Sequence, residues 1–462
     1  MTWTKAQISI LIIVAVISFI GTFLISSINI AIPSIEKTFN LDAIALSWVI
    51  TAYLLSSAIF LLPVGRIGDI IGIRNVFKIG IVIFTISSLL SGIAFSGSLL
   101  ITFRFIQGIG AALTNTTGSA ILVSAFVPEH RGRVLGVSVS ATYLGLSLGP
   151  FLGGILTQYL GWQSIFIISF ILGVFSTIAA FKYLKKEKLK TITFRQFDWQ
   201  GTLLFMLGLV LLVIGSTKIP SIIGWISICS GILLLIIFWL FENKIQIPIF
   251  ETKLFAKNKL FAYSNIAALI NYSATSAIVF LLSIYLQKTQ GLSPKEAGMI
   301  LVAQPVIMAI FSPIAGRLSD KIQARHLSSL GMLLCATGLA MFSMLKENSS
   351  IGYIIFVLVW VGFGFALFSS PNMSSIMGSV DKQRLGFASG TAATMRVLGQ
   401  MTSMTIITLF FASLFNGNTI ELVDNAVFMK VIRYGFGSFS VLCFIGIFFS
   451  FKRGTGLREN VI

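Results

Sequence analysis

Gly65-Arg66-Ile67-Gly68-Asp69 closes a long apolar run at 44–64, and Gly316-Arg317-Leu318-Ser319-Asp320 closes another at 296–315. The two pentads place Gly, Arg and Asp at the same spacing behind runs of similar length. About 20 apolar residues suffice for a helix to cross the hydrocarbon core, and a helix meets the demand that every backbone polar group there be paired within the chain. Working outward from these two runs, further ones lie near 8–33, 76–95, 98–126, 134–157, 163–183, 200–217, 221–241, 260–286, 327–345, 351–377, 386–414 and 431–451. Each pentad then closes the second helix of a set of six. The pattern predicts an all-α polytopic membrane protein of about fourteen transmembrane helices, with two pseudo-symmetric six-helix halves at 1–183 and 260–451. Residues 184–259 hold a basic loop, two inserted transmembrane helices and a linker, and 452–462 form a tail. Parallel repeats of this kind put a substrate site between the halves, near the bilayer midplane.

Composition agrees. Of 462 residues, 56% are hydrophobic and 10% charged, against about 25% charged in a soluble domain. The net charge of +18 does not mark a nucleic-acid partner, because Lys and Arg fall in the short gaps between apolar runs. With the N-terminus inside, inside segments hold 24 of the 33 basic residues and outside segments hold seven. That bias sets orientation and predicts both termini in the cytoplasm of a prokaryotic plasma membrane. Cys229, Cys335 and Cys443 lie far apart within apolar runs and read as small core residues; no metal-ligand spacing is present. The sequence has no HExxH, no Ser/His pair, no paired intramembrane aspartates and no phosphate loop, so neither an enzyme nor an ATP-driven pump is expected.

Three motifs add mechanism. Gly65 to Arg74 spans the loop expected after the second helix, with Gly65 permitting close helix approach and Asp69 able to accept from a helix N-terminus. Arg104-Phe105-Ile106-Gln107-Gly108-Ile109-Gly110 places an arginine inside the fourth helix, at a cost of at least about 2.5 kcal/mol, which makes function its default reading. Gly145-Leu146-Ser147-Leu148-Gly149-Pro150-Phe151-Leu152-Gly153-Gly154 gives the fifth helix a small face and a kink. With Trp48 to Tyr53, Gly161-Trp162, Ser370-Pro371-Asn372 and Arg396-Val397-Leu398-Gly399-Gln400, these segments resemble the major facilitator superfamily, in its fourteen-helix drug:proton antiporter branch. The resemblance covers nearly the whole chain. It implies a gating and coupling role for Gly65, Asp69, Gly72, Arg74, Arg104, Gly316 and Asp320, with the thirteenth helix as partner of Asp69, and an antiporter-type fifth helix at Gly145, Gly149, Pro150, Gly153 and Gly154.

One departure stands out. Many members of this branch carry an Asp in the first helix nine residues before a Pro; here Leu24 precedes Pro33 at that spacing. All 15 acidic residues fall in loops or at helix ends, so the usual carboxylate for protons and cations is missing from mid-membrane. The candidate cavity residues are Asn29, Tyr53, Asn115, Tyr143, Asn271, Tyr272, Gln304, Arg396 and Gln400. They favour an amphiphilic substrate that is neutral, zwitterionic or anionic. The expected function is secondary active export of such molecules, drugs among them, by proton antiport; the alternative is a narrow lipid or anionic-metabolite exporter, with or without proton coupling. No cofactor is expected beyond the proton gradient. The expected partners are a small-molecule substrate and membrane lipids, with a monomer as the default.

Overall fold

The computed structural model describes residues 3–184, 197–245, 248–319, 321–380, 385–415 and 417–454, without the side chains of Asp69, 128–133, 135, 136, 139, 385 and 386. The N-terminal half comprises α1 Lys5–Phe39, α2 Ala43–Ile71, α3 Ile73–Gly92, α4 Gly97–Ala125, α5 Pro128–Leu160 and α6 Gln163–Tyr183. The inserted pair is α7 Trp199–Thr217 and α8 Ile222–Glu242. The C-terminal half comprises α9 Lys259–Thr289, α10 Pro294–Leu318, α11 Ala324–Ser343, α12 Ile351–Gly378, α13 Leu385–Leu414 and α14 Asn425–Lys452. Among the described residues thirteen helices are long and apolar enough to cross a membrane; α5, at 33 residues, completes the alternation.

The halves repeat one packing plan. In the first, α1 packs on α5 and α6, α2 on α4, and α3 on α4 and α6; in the second, α9 packs on α13 and α14, α10 on α12, and α11 on α12 and α14. The halves meet along two seams, α2 against α13 and α5 against α10, and α7 lies on both α2 and α13. The inserted pair therefore braces one seam and leaves the other bare.

The glycines of α5 explain its sequence. A Cβ at Gly145, Gly149 or Gly153 would fall within 2.3–2.7 Å of Thr22, Ser26 or Ser27 on α1. Those three hydroxyls donate in turn to the carbonyls of Thr142 (3.0 Å), Leu146 (3.2 Å) and Gly149 (2.9 Å). Pro150 has no N–H, so it strips Leu146, four residues earlier, of its helical donor; Ser26 supplies the replacement. The opposite face crosses to the other half, where a Cβ at Gly154 would sit 2.5 Å from the Pro294 carbonyl, and one at Gly298 would sit 2.2 Å from the Pro150 carbonyl.

Three readings need correction. The segment from Gly65 to Ile71 is not a loop: α2 runs through it and stops at Gly72, whose φ of 90° an L side chain rarely adopts. A Cβ at Gly65 would make an ordinary 3.8 Å contact with Thr116, so no tight approach depends on it. Cys335 and Cys443 are buried, but Cys229 is exposed on α8, where lipid rather than protein is its neighbour.

The Ser26–Leu146 bond predicts a double-mutant result. Ser26→Ala orphans a carbonyl and should cost about 1–3 kcal/mol of unfolding free energy in detergent. In a Pro150→Ala background the helix provides that donor itself, and the same change should cost less than about 0.5 kcal/mol; equal costs in both backgrounds would refute the account.

Candidate functional site

A cavity of about 790 Å³ opens between the halves. It reaches from the middle of the bundle toward the end where the chain terminates, and exposed Asn115, Ala309 and Ser374 lie on its wall. A smaller chamber of about 170 Å³ shares Asn115, Tyr143, Tyr272 and Arg396 with it and extends past Tyr53 and Gln400 toward the opposite end. Six of the nine predicted cavity residues are thus brought together. Tyr143 Oη lies 3.4 Å from Ser369 Oγ, which joins the two halves across the space. Arg396 is the one charged residue on either wall, and no Asp or Glu lines them among the described residues.

The other three lie elsewhere. Asn29 donates to the Ile25 carbonyl of its own helix at 2.9 Å. Asn271 and Gln304 are buried and line neither chamber; the Gln304 backbone packs where a Cβ on Gly362 would stand. Leu24 is fully buried and also faces away. Sequence reasoning missed the hydroxyls that give the cavity its character, among them Ser18, Ser138, Ser312 and Ser369. Ser369 adjoins the quoted Ser370-Pro371-Asn372, which was the available signal.

Arg104 is fully buried and does not face the cavity. Its Nε donates to the Val49 carbonyl at 3.0 Å and its Nη1 to Gln107 Oε1, whose amide continues to Ser88 Oγ at 2.7 Å. The guanidinium lies 4.4 Å from the Tyr53 ring centre, a cation–π contact. It reaches the upper chamber only through Tyr53, while tying α4 to α2 and α3. Arg453, just past α14, plays a comparable part in the other half. It donates to Asn372 Oδ1 at 2.7 Å and to the Ala324 carbonyl, and Asn372 donates to the Ser264 carbonyl at 3.0 Å. Burial pushes its guanidinium down to about 9, which leaves it charged at neutral pH.

Of the gate motif, Arg66 donates twice to the Pro248 carbonyl, at 3.0 and 2.7 Å, in the linker after α8. Arg74 is half-buried at the start of α3. The Asp69 side chain and Asp320 lie outside the described residues, so the pairing of Asp69 with α13 is not described. A Cβ at Gly316 would meet Ser370 Oγ at 2.8 Å, which brings the second pentad against α12 beside the cavity wall.

The end opposite the termini is sealed. Gln287 Nε2 donates to the Ile30 carbonyl (3.0 Å), Thr408 Oγ1 to Ser47 Oγ (2.9 Å) and the Ala43 amide to the Asn418 carbonyl (3.2 Å). Glu36, 5% exposed, accepts from the Glu421 amide at 2.9 Å. Lys288 Nζ holds the same turn by the Glu421 and Val423 carbonyls, at 3.1 and 2.9 Å. Glu36 is a buried carboxylate spanning the halves that its place near a helix end did not announce.

Two repeated halves around a cavity lined by both polar and apolar side chains, closed at one end and accessible at the other, define a membrane transporter. The chain matches the model of the Major Facilitator Superfamily over residues 11–243 and 265–460, and it belongs to that family. It is 32% identical over 446 residues to the riboflavin transporter RibZ of Clostridioides difficile (strain 630), covering 96% of each chain. It is 29% identical over 416 residues to the multidrug resistance protein Stp of Mycobacterium tuberculosis (strain CDC 1551 / Oshkosh), covering 88% of this chain and 76% of that one. In fold it is similar to a bacterial homologue of the human lysosomal transporter Spinster, solved inward-facing and unoccupied, with a TM-score of 0.69, 13% identity and 98% of each chain covered.

The Glu36 bond makes a measurable prediction. In a cysteine-free background carrying one cysteine at Ile25, on the upper chamber, Glu36→Ala should raise labelling from the sealed side at least about tenfold, since a hydrogen bond to a charged group contributes about 1.5–3 kcal/mol. Unchanged labelling would remove Glu36 from the seal.

Proposed function

We propose that this protein exports amphiphilic small molecules, neutral or anionic rather than dicationic, by proton antiport across a prokaryotic plasma membrane. The observation that carries the reading is the cavity lining: hydroxyls, amides, three tyrosines and the Arg396 guanidinium among apolar side chains such as Phe368 and Met373, with no carboxylate among the described residues. A dication entering such a site would lose hydration without gaining a counter-charge, while an anion gains Arg396. The excess of Lys and Arg in segments on the side of the termini supports a cytoplasmic location for that end. The open cavity then faces inward, where an exporter collects its cargo. The relative named for multidrug resistance supports export of foreign compounds.

A narrower substrate is the second reading. The relative at 32% identity is named a riboflavin transporter. Tyr143 and Tyr272, with the surrounding serines, suit a planar aromatic ring bearing a hydroxylated chain.

Reconstituted flux tests both. Proteoliposomes with an imposed pH gradient are expected to move an anionic or neutral amphiphile, and Arg396→Ala should cut kcat/KM for the anion at least about tenfold. Gradient-driven transport of a dication, unaffected by Arg396→Ala, would overturn the substrate class. Transport of riboflavin alone among the compounds tried would select the second reading.

A further inference from the structure

The inserted pair ends in an acid couple, a half-buried Asp198 and a buried Glu242, that the transport cavity does not use. Asp198 caps α7, its Oδ1 accepting from the Gly201 amide at 2.9 Å. Glu242 closes α8, is 1% exposed, and accepts from the Phe250 amide through Oε2 at 3.4 Å. The remaining oxygens, Asp198 Oδ2 and Glu242 Oε1, are both buried and have no hydrogen-bond partner. They face each other across the space a side chain on Gly201 would fill: a Cβ there would lie 2.1 Å from the first and 2.7 Å from the second. Two carboxylates cannot both stay ionised at such an approach out of water.

We propose that Asp198 and Glu242 form a proton-binding site, one proton shared between Glu242 Oε1 and Asp198 Oδ2, that fastens the linker after α8 across the open end of the transporter. The helix dipoles assign the proton. Asp198 sits at the positive N-terminus of α7, which favours its carboxylate, and Glu242 at the negative C-terminus of α8, which disfavours one. Glu242 is the O–H donor and Asp198 the acceptor.

The linker gives the site its reach. Phe250, bonded to Glu242, stacks near Trp239 and Phe255 at ring separations of 6.0 and 5.1 Å, and Phe255 meets Phe261 of α9 at 5.3 Å. Asn258 donates to the Ser379 carbonyl beyond α12 at 2.7 Å, while Pro248 receives Arg66 of α2. Residues 248–258 thus join both halves at the end where the cavity opens. Among the described residues, the other charged groups nearby are placed apart from the couple; Lys190 and Arg195, ahead of Asp198, lie outside those residues. Lys244 in the turn after α8 is exposed, Arg66 of α2 is engaged at Pro248, Arg396 of α13 lines the cavity, and Glu251, Lys253 and Lys257 follow Phe250 along the linker. The side chain of Asp69 on α2 lies outside the described residues. Loss of the proton leaves two facing carboxylates, which repel and release the linker. The site stands whether or not the substrate proposed above is correct.

Infrared titration of the purified full chain in lipid nanodiscs tests this. The wild type at pH 7 is expected to show one protonated-carboxyl stretch that Glu242→Gln abolishes and Asp198→Asn shifts or abolishes. Because the folded form binds the proton, the wild-type melting midpoint should fall as pH rises through loss of that band. Glu242→Gln, whose amide donates to Asp198 at any pH, should lose that dependence. If Glu242→Gln does not fold, Asp198→Asn must remove the wild-type titration step. A band untouched by either variant overturns the proposal. So does the absence of any band together with a wild-type midpoint that rises when sodium replaces choline, which would make the occupant a metal cation.

Discussion

A bilayer offers no water to a broken helix, and the mechanically important helices here are broken ones. Each proline inside a span frees the carbonyl four residues before it, and at Pro150 the neighbouring helix supplies the missing donor. Ser26 answers Leu146, freed by Pro150. Beside the Asn29 carbonyl, which Pro33 frees, Gln287 of the opposite half donates to the Ile30 carbonyl. At Pro371, which frees Leu367, Ser328 donates to the adjacent Phe368 carbonyl at 3.4 Å. Where such a bond lies within a half it stiffens that half, and where it crosses between halves it must be remade when the halves move. The same demand, that backbone be paired in lipid, therefore distinguishes the rigid parts from the gate.

Buried charge is distributed on a similar logic. Arg104 and Arg453 are each held by carbonyls and amides inside one half, and each stands one residue behind the cavity wall, through Tyr53 and through Asn372. They order the wall without contacting the space. Glu36 sits between the halves at the sealed end, and Asp198 with Glu242 sits beside the seam that α7 covers. These acids thus lie at junctions between the halves or with the linker, and these two arginines lie within one half. This arrangement bears on a chain whose first helix carries Leu24 where many members of the branch it resembles carry Asp: acidic groups are absent from the described cavity walls but present at both of its ends.

Much of this was legible in the residues. The pentads at Gly65 and Gly316 revealed two halves because they are short-range patterns tied to helix ends. The small residues of α5 announced a close contact, because only backbone approaching backbone requires them. Six of the cavity residues were found by asking which polar side chains sit deep in apolar runs. The same question also returned Asn29, Asn271 and Gln304, because depth in the membrane says nothing about which face of a helix a residue occupies. It overlooked Glu36 and Glu242, which lie at helix ends in sequence yet are enclosed by turns folded over them.

The sequence alone determined the all-helical, many-crossing character of the chain and the absence of acids from the helix centres, since these follow from local hydropathy and spacing. Only the tertiary structure decided which face of each helix meets the cavity, that Arg104 is a strut behind Tyr53, and that α5 carries one glycine face for α1 and another for α10. It alone brought Asp198 to Glu242 from opposite ends of a helical hairpin. Rotation of a helix about its axis costs nothing in local pattern and is settled by what packs on every side of it.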